Sequence, residues 1–168
     1  MGIFIGLGAN LESQFGSPRQ TLEAALDALE LQGIIIRARS RWYKSVAVPD
    51  PADPEFTNGV VEVETSLSAA HLLGVLHDIE KQFGRTRRKR WESRPIDLDL
   101  LDYQGLSQRA DGVDAGLELP HPRLGKRSFV LLPLQEIAPQ WRHPVSGHSL
   151  ESLIAALPPE ARAWPMPA

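Results

Sequence analysis

The chain has 168 residues, of which 42% are hydrophobic and 23% charged, and its formal net charge is −3 at pH 7. These values are ordinary for one soluble globular domain with a buried core. The acidic balance argues against a general binder of nucleic acids or anionic membranes. The lack of cysteine excludes disulfides and thiolate metal sites, and it agrees with a reducing compartment.

The sequence contains no targeting or membrane-spanning pattern. Its N-terminus lacks a basic segment followed by a cleavage site, and no apolar run approaches 18 residues. We therefore expect a cytoplasmic protein without a membrane partner. Residues 1–157 are expected to form a single domain, and residues 158–168, which are rich in proline and alanine, a loose tail.

The chain begins with a short strand and a capped helix. Residues 3–7 form an apolar run that Gly6 and Gly8 are expected to end in a tight turn. Ser17, followed by proline and then by glutamine at the third helical position, has the pattern of a helix start. Gly33 has the pattern of a helix end.

The alternation of strands and helices continues along the chain. Residues 34–43 and 60–64 are β-prone, residues 68–83 carry apolar side chains at helical spacing after a serine, and residues 96–103 are β-prone again. This order predicts a ferredoxin-like βαββαβ core of the α+β class, with helices on one face of the sheet. Additional C-terminal elements follow, of which residues 128–134 form either a short helix or a strand.

One stretch joins two segments of opposite charge. Residues 85–94 carry six cationic side chains in ten positions, and the β-prone segment that follows carries Asp97 and Asp99. In a strand these two carboxylates share one face, about 6–7 Å apart at ~3.3 Å per residue. Such a pair suits Mg²⁺, which takes substrate phosphates as further ligands, and the cations can neutralise the remaining phosphate oxygens.

Each half of this stretch also has a plainer interpretation. A run of cations is usually a solvated loop, and the two aspartates could belong to an ordinary half-exposed strand. The adjacency of the cationic segment and the two aspartates favours a polyphosphate site. In addition, facing carboxylates repel each other unless they share a cation, so an unpartnered pair would be costly if it were partly buried. Asn58 is either a turn residue or part of the same site. Cationic and aromatic side chains that could complete the site are Arg85, Arg87, Arg94, His121, Arg127, Phe56, Trp91 and Phe129.

Several motifs occur in a specific order. They are Gly-x-Asn near the N-terminus, Phe-x-Asn before a strand, Ile-Glu-x-x-x-Gly-Arg-x-Arg, Arg-Trp-x-x-Arg-x-Ile-Asp-Leu-Asp-Leu, and Pro-His-Pro-x-x-x-x-Arg-x-Phe-Val-Leu-x-Pro-Leu-x-Glu-Ile-Ala-Pro. From about residue 3 to residue 141, this set resembles the 6-hydroxymethyl-7,8-dihydropterin pyrophosphokinases of folate biosynthesis. The fold of that family is ferredoxin-like α+β, which agrees with the element order above.

The resemblance implies a reaction and its reagents. The chain would transfer pyrophosphate from ATP to the hydroxymethyl oxygen of the pterin and release AMP. ATP would be the co-substrate, and two Mg²⁺ ions would be the cofactors. The partners would be small molecules rather than nucleic acid, and the protein is expected to be a monomer.

The resemblance also implies roles for individual residues. The metal ligands are Asp97 and Asp99, which together with Arg85 and Arg94 form the catalytic set. The ATP-binding residues are Glu80, Arg87, Trp91, Arg94, His121 and Arg127. The pterin-binding residues are Ser45, Val48, Phe56, Asn58, Trp91 and Phe129.

The sequence departs from the family pattern in three places, and two rival hypotheses remain open. Gly-Ala-Asn near the N-terminus replaces the usual Gly-Ser-Asn, which is a mild change. Residues 45–49 differ from the usual Thr-Pro-x-x-Gly type of loop, and Glu92-Ser93 replaces the usual Gly-Pro. The first rival is a nucleic-acid-binding module or metal-dependent nuclease, which the net charge and the missing aromatic RNA-binding motif disfavour. The second is an inactive paralogue that binds pterin or nucleotide, which the retained aspartates and catalytic arginines disfavour.

Overall fold

The computed structural model describes residues 2–46, 54–84, 96–109 and 116–167. Its elements are β1 Ile3–Ala9, α1 Pro18–Leu31, β2 Ile35–Arg39, β3 Tyr43–Ser45, β4 Phe56–Glu64, α2 Ala69–Gln82, β5 Asp97–Tyr103, a 3-10 turn Leu124–Lys126, α3 Ser128–Ile137, α4 Leu150–Ala155 and β6 Ala163–Pro165. The undecided run at 128–134 is thus helical. Within the described ranges, no helix is long and apolar enough to cross a membrane.

The strands form one antiparallel sheet in the order β5-β1-β4-β3-β6, and β2 also pairs with β4. The strand predicted at 34–43 is divided into β2 and β3, which lie along different parts of β4. Ser40 lies at the division, where its hydroxyl accepts a hydrogen bond from the Val60 amide at 3.0 Å. The side chain of Ser40 thus takes a main-chain partner at the point where β2 ends.

Both long helices begin as their sequence patterns predict. Ser17 and Gln20 form a complete capping box at the start of α1, and Ser68 accepts a hydrogen bond from the His71 amide at the start of α2. Gly33 follows α1 with φ of 80°, a left-handed conformation that glycine adopts without steric cost. These local signals set the ends of α1 and α2 near the positions expected.

The sheet has a separate hydrophobic core on each face. Alternate residues of β1 point to opposite sides, so that Ile5 packs in the core beneath α1 and α2 while Phe4 packs against α3 and α4. The first core is consistent with the expected helices on one face. The second core shows that the C-terminal helices cover the other face, where Leu131 and Leu134 are fully buried.

The C-terminal segment differs from the loose tail expected after residue 157. Strand β6 pairs with β3, with Ala163 opposite Ser45, and the Met166 amide donates a hydrogen bond to the Trp42 carbonyl at 2.8 Å. Main-chain pairing needs a free strand edge rather than a particular side-chain pattern, which is why the proline-rich composition gave no sign of it. The predicted domain boundary at residue 157 remains a prediction.

Candidate functional site

Gly6 and Gly8 of the central strand β1 line the base of a cavity on one face of the sheet. Strand β1 continues through Gly6 and Gly8 to Ala9, so the tight turn expected at these glycines is wrong. A Cβ atom at Gly8 would lie 2.8 Å from Nδ2 of Asn58, which is closer than real contacts allow. The glycine therefore leaves room for the Asn58 side chain and does not form a turn.

Asp97 and Asp99 lie beside these glycines on β5. The register pairs Asp97 with Gly8 and Asp99 with Gly6, and the intervening Leu98 points into the core. The two carboxylates therefore share one face, as their spacing predicts. Both are partly exposed, and both line each of two adjoining cavities. We name this pair the acidic floor.

Glu80 of α2 supports the acidic floor from behind. Only 2% of this residue is exposed, and its Oε2 accepts a hydrogen bond from the Leu98 amide at 2.9 Å. Within the part of the chain that the structure describes, β5 pairs with β1 on one side, and its other side presents main-chain groups that need partners. Glu80 satisfies one of these groups between the two aspartates, and it also lines the second cavity.

The first cavity has a volume of about 470 Å³ and lies between the sheet and the start of α3. Phe56 of β4 and Phe129 of α3 both line it, as do Ser45 and Asn58. The Ser45 hydroxyl donates a hydrogen bond to Oδ1 of Asn58 at 2.8 Å, which fixes the orientation of the buried carboxamide. The cavity thus joins apolar surface and a fixed amide to the acidic floor.

Basic side chains lie beside the acidic floor. Nη1 of Arg127 lies 3.8 Å from Oδ2 of Asp99, and Nε2 of His121 lies 3.9 Å from Oδ1. The Arg127 guanidinium also lies 5.4 Å from the centre of the Phe129 ring. Arg123 and Lys126 line the first cavity as well. Sequence reasoning assigned neither Arg123 nor Lys126 a role in the site.

The second cavity, of about 260 Å³, lies on the other side of the acidic floor. Glu80, Glu118 and His121 line it together with apolar side chains. Burial lowers the pKa of His121, an effect that Asp99 opposes and Arg127 reinforces. The imidazole is therefore neutral at pH 7 and can donate or accept a hydrogen bond. Burial also lowers the pKa of Arg127, which Asp99 partly offsets.

The structure brings together the site residues that it describes. These are Asp97, Asp99, Glu80, His121, Arg127, Ser45, Phe56, Asn58 and Phe129. The predicted residues Val48, Arg85, Arg87, Trp91 and Arg94, and the family departure at Glu92-Ser93, lie outside the described residues. Sequence reasoning missed Glu160, Ala161 and Arg162, which line the first cavity and follow no motif.

Comparison with known proteins identifies the family. Residues 4–139 match the family described as 7,8-dihydro-6-hydroxymethylpterin-pyrophosphokinase, or HPPK. The chain belongs to the HPPK family. It is 40% identical over 168 residues to a 2-amino-4-hydroxy-6-hydroxymethyldihydropteridine pyrophosphokinase of Synechocystis sp., covering 98% of this chain and 80% of that protein. A protein of the same name from Pseudomonas aeruginosa is 38% identical over 157 residues, covering 93% of this chain and 91% of the relative.

Solved structures agree at the level of the fold. The HPPK-DHPS protein of Plasmodium falciparum, crystallised with pteroate, superposes with a TM-score of 0.70 at 15% identity. The alignment covers 92% of this chain and 44% of the Plasmodium chain, so this chain spans less than half of that protein. This likeness supports a mixed α/β fold with an antiparallel sheet, like that of the HPPK part.

Proposed function

We propose that the two cavities hold the two substrates of the HPPK reaction and that the acidic floor lies where they meet. As an HPPK-family transferase, the chain transfers pyrophosphate to 6-hydroxymethyl-7,8-dihydropterin in folate synthesis, with ATP as co-substrate. The observation that carries our placement is that Asp97 and Asp99 line both cavities. A phosphoryl donor in one cavity and an acceptor in the other would approach each other only above these carboxylates.

The acidic floor fits Mg²⁺ chemistry. Its donors are carboxylate oxygens, they are partly exposed, and they lie side by side on a strand that is fixed on both sides. Two carboxylates leave coordination positions for water and phosphate oxygens, as Mg²⁺ requires. When bound, Mg²⁺ would neutralise negative charge on the transferring phosphates. Two ions, held by Asp97 and Asp99 together with substrate oxygens, are our proposal for this site.

We assign the pterin to the first cavity. Its flat ring would lie between Phe56 and Phe129, where offset aromatic contacts are worth roughly 0.5–1.5 kcal/mol per pair beyond burial. Asn58, oriented by Ser45, would hydrogen-bond the ring edge. A fixed polar partner discriminates more strongly than stacking, because a wrong ring would leave a buried polar group unpaired. Val48 would add to this contact from the neighbouring loop.

We assign ATP to the second cavity and to the basic side chains beside it. His121 and Arg127 lie within 4 Å of Asp99, so they can bind phosphate oxygens next to those that the metal takes. Glu80 is proposed to act at the nucleotide side while it supports β5. The residues outside the described ranges keep their predicted roles, with Arg87 and Trp91 at the nucleotide and Arg85 and Arg94 at the transferring group.

The finer features of the molecule remain proposals. We infer a ferredoxin-like core, which the strand order β5-β1-β4 with β2 and β3 beside β4 supports. A single domain, a monomer, a cytoplasmic location and the lack of a nucleic-acid partner remain expectations from the sequence. Gel filtration with light scattering would test the monomer directly.

One assay tests the proposed reaction against its rivals. The protein is incubated with ATP, Mg²⁺ and 6-hydroxymethyl-7,8-dihydropterin, and the nucleotide products are separated. We expect AMP in amounts equal to the pyrophosphorylated pterin, and none when the pterin is omitted. ADP as the product would contradict pyrophosphate transfer. Tight binding of both substrates without turnover would favour the inactive paralogue, and cleavage of added RNA or DNA would favour the nuclease.

A further inference from the structure

The C-terminal segment lies against the first cavity in a defined position. Strand β6 pairs antiparallel with β3, with Ala163 opposite Ser45. Residues 160–162 therefore continue past Ser45 at the cavity, which they line together with Asn58. Strand β6 also contacts α3, the helix that carries Phe129. The segment is thus held from two sides at the end of the cavity that we assign to the pterin ring.

The chemistry of this segment complements that ring. A pterin presents an amide N–H and an exocyclic amine along one edge, and both are hydrogen-bond donors that need acceptors. Among the described residues that line the first cavity, the carboxylates are the two of the acidic floor and Glu160. The acidic floor is assigned to metal and phosphate, which leaves Glu160 as the carboxylate available to the ring.

We propose that residues 160–162 form a further wall of the pterin site, with Glu160 accepting hydrogen bonds from the N–H groups of the ring and Ala161 limiting the space beside it. This inference rests on the proposed placement of the pterin in the first cavity. Glu160 is exposed without substrate, so its contribution is to affinity rather than to stability. Arg162 keeps the turn compact, since its Nε donates to the Pro159 carbonyl at 3.4 Å.

Two variants test the wall, each with a matched control. Glu160→Gln removes the charge and is expected to raise the KM for pterin about three- to tenfold, as for loss of one exposed charged acceptor. Ala161→Phe fills space in the cavity and is expected to raise the same KM about tenfold or more. The controls, Glu30→Gln on α1 and Ala155→Phe on α4, change exposed positions that do not line either cavity.

The readouts separate a binding role from a structural one. For each variant, KM for pterin, KM for ATP and kcat are measured from AMP release, and the unfolding temperature is measured without ligands. We expect only the KM for pterin to change. The proposal that residues 160–162 form part of the pterin site would be overturned by a wild-type KM for pterin in both Glu160→Gln and Ala161→Phe. It would also be overturned if the KM for pterin and the KM for ATP rose equally. If the wild-type protein releases no pterin-dependent AMP, the proposed reaction fails and the wall fails with it.

Discussion

Two parts of the first cavity are held in place by different kinds of interaction. The acidic floor is positioned by main-chain pairing of β5 with β1 and by the hydrogen bond from the Leu98 amide to Glu80. The opposite wall is made by the start of α3 with β3, and the side chain of Glu136, near the end of α3, adds polar links to the apolar packing of this helix. The Glu136 carboxylate accepts hydrogen bonds from the Arg41 amide at 2.7 Å and from the Tyr43 hydroxyl at 2.6 Å.

This difference indicates how each part should respond to substitution. A side chain on the acidic floor can change without moving the strand, since the main chain holds it, so its loss should remove chemistry alone. Glu136 links α3, which carries Phe129, to β3, which carries Ser45. Its loss should let the two pterin-binding surfaces separate, so that binding of the acceptor weakens while the phosphate chemistry persists.

The largest expected effect is on the acidic floor. Asp97→Asn and Asp99→Asn each remove a charged oxygen ligand without changing the size of the side chain, and kcat should fall roughly 10²-fold or more. AMP release measures kcat, and thermal unfolding checks the fold. Asp27→Asn, at an exposed position of α1, is the control. Near-normal kcat in either variant would show that the metal assignment is wrong.

The support behind the acidic floor should matter next. Glu80→Leu leaves the buried Leu98 amide without this acceptor, at a cost of about 1–3 kcal/mol in the free energy of unfolding. We expect kcat to fall as well, because Leu98 separates the two aspartates. Glu80→Gln keeps an acceptor oxygen and should retain most stability. Urea unfolding measures the first effect. A raised KM for ATP in Glu80→Gln, with unchanged kcat, would indicate that Glu80 also contacts the nucleotide, as proposed above.

Glu136→Ala should weaken the opposite wall. Loss of the charged acceptor for Tyr43 is expected to lower the free energy of unfolding by about 1–2 kcal/mol. The KM for pterin should rise while the KM for ATP stays the same. Glu30→Ala on α1 is the matched control. Equal changes in the KM for pterin and the KM for ATP would contradict the prediction that Glu136 supports only the pterin-binding surface of α3 and β3.

The smallest expected effect is on the stability of the folded protein at low pH. Burial raises the pKa of Glu136, but hydrogen bonds from Tyr43 and Arg41 outweigh this effect, so the pKa lies below its ordinary value of 4.5. The ionised carboxylate therefore stabilises the folded state fully above pH 4.5, and this contribution is lost as pH falls through the lowered pKa. The difference in stability between wild type and Glu136→Gln should shrink over this range. A difference that is constant from pH 7 to pH 3 would exclude the effect.

Tyr43 should remain the donor in this interaction at neutral pH. Burial and the neighbouring Glu136 carboxylate raise the pKa of its hydroxyl to about 12. The hydroxyl therefore stays protonated throughout the acid titration, and Glu136 is the group of this pair that changes charge. This simplifies the comparison of the two proteins at low pH.

Residue patterns of short range were sufficient for much of the molecule. The capping box at Ser17 and the helix end at Gly33 were readable because each depends on neighbours within one helical turn. Asp97 and Asp99 could be assigned to one face because side chains in any strand repeat every two residues. The reaction was predicted from the resemblance of the ordered motifs to those of the HPPK family, and the family match over residues 4–139 confirms that resemblance.

Contacts of long range could not be read in this way. The glycine at position 8 reflects the approach of Asn58, and Glu80 supports an amide 18 residues away. Strand β6 pairs with an edge that exists only once β3 has joined β4. Main-chain groups are the same in every residue, so the partner of a strand edge depends on which segment the folded chain brings there. The pairing of β6 with β3 thus places Glu160 and Ala161 beside the first cavity.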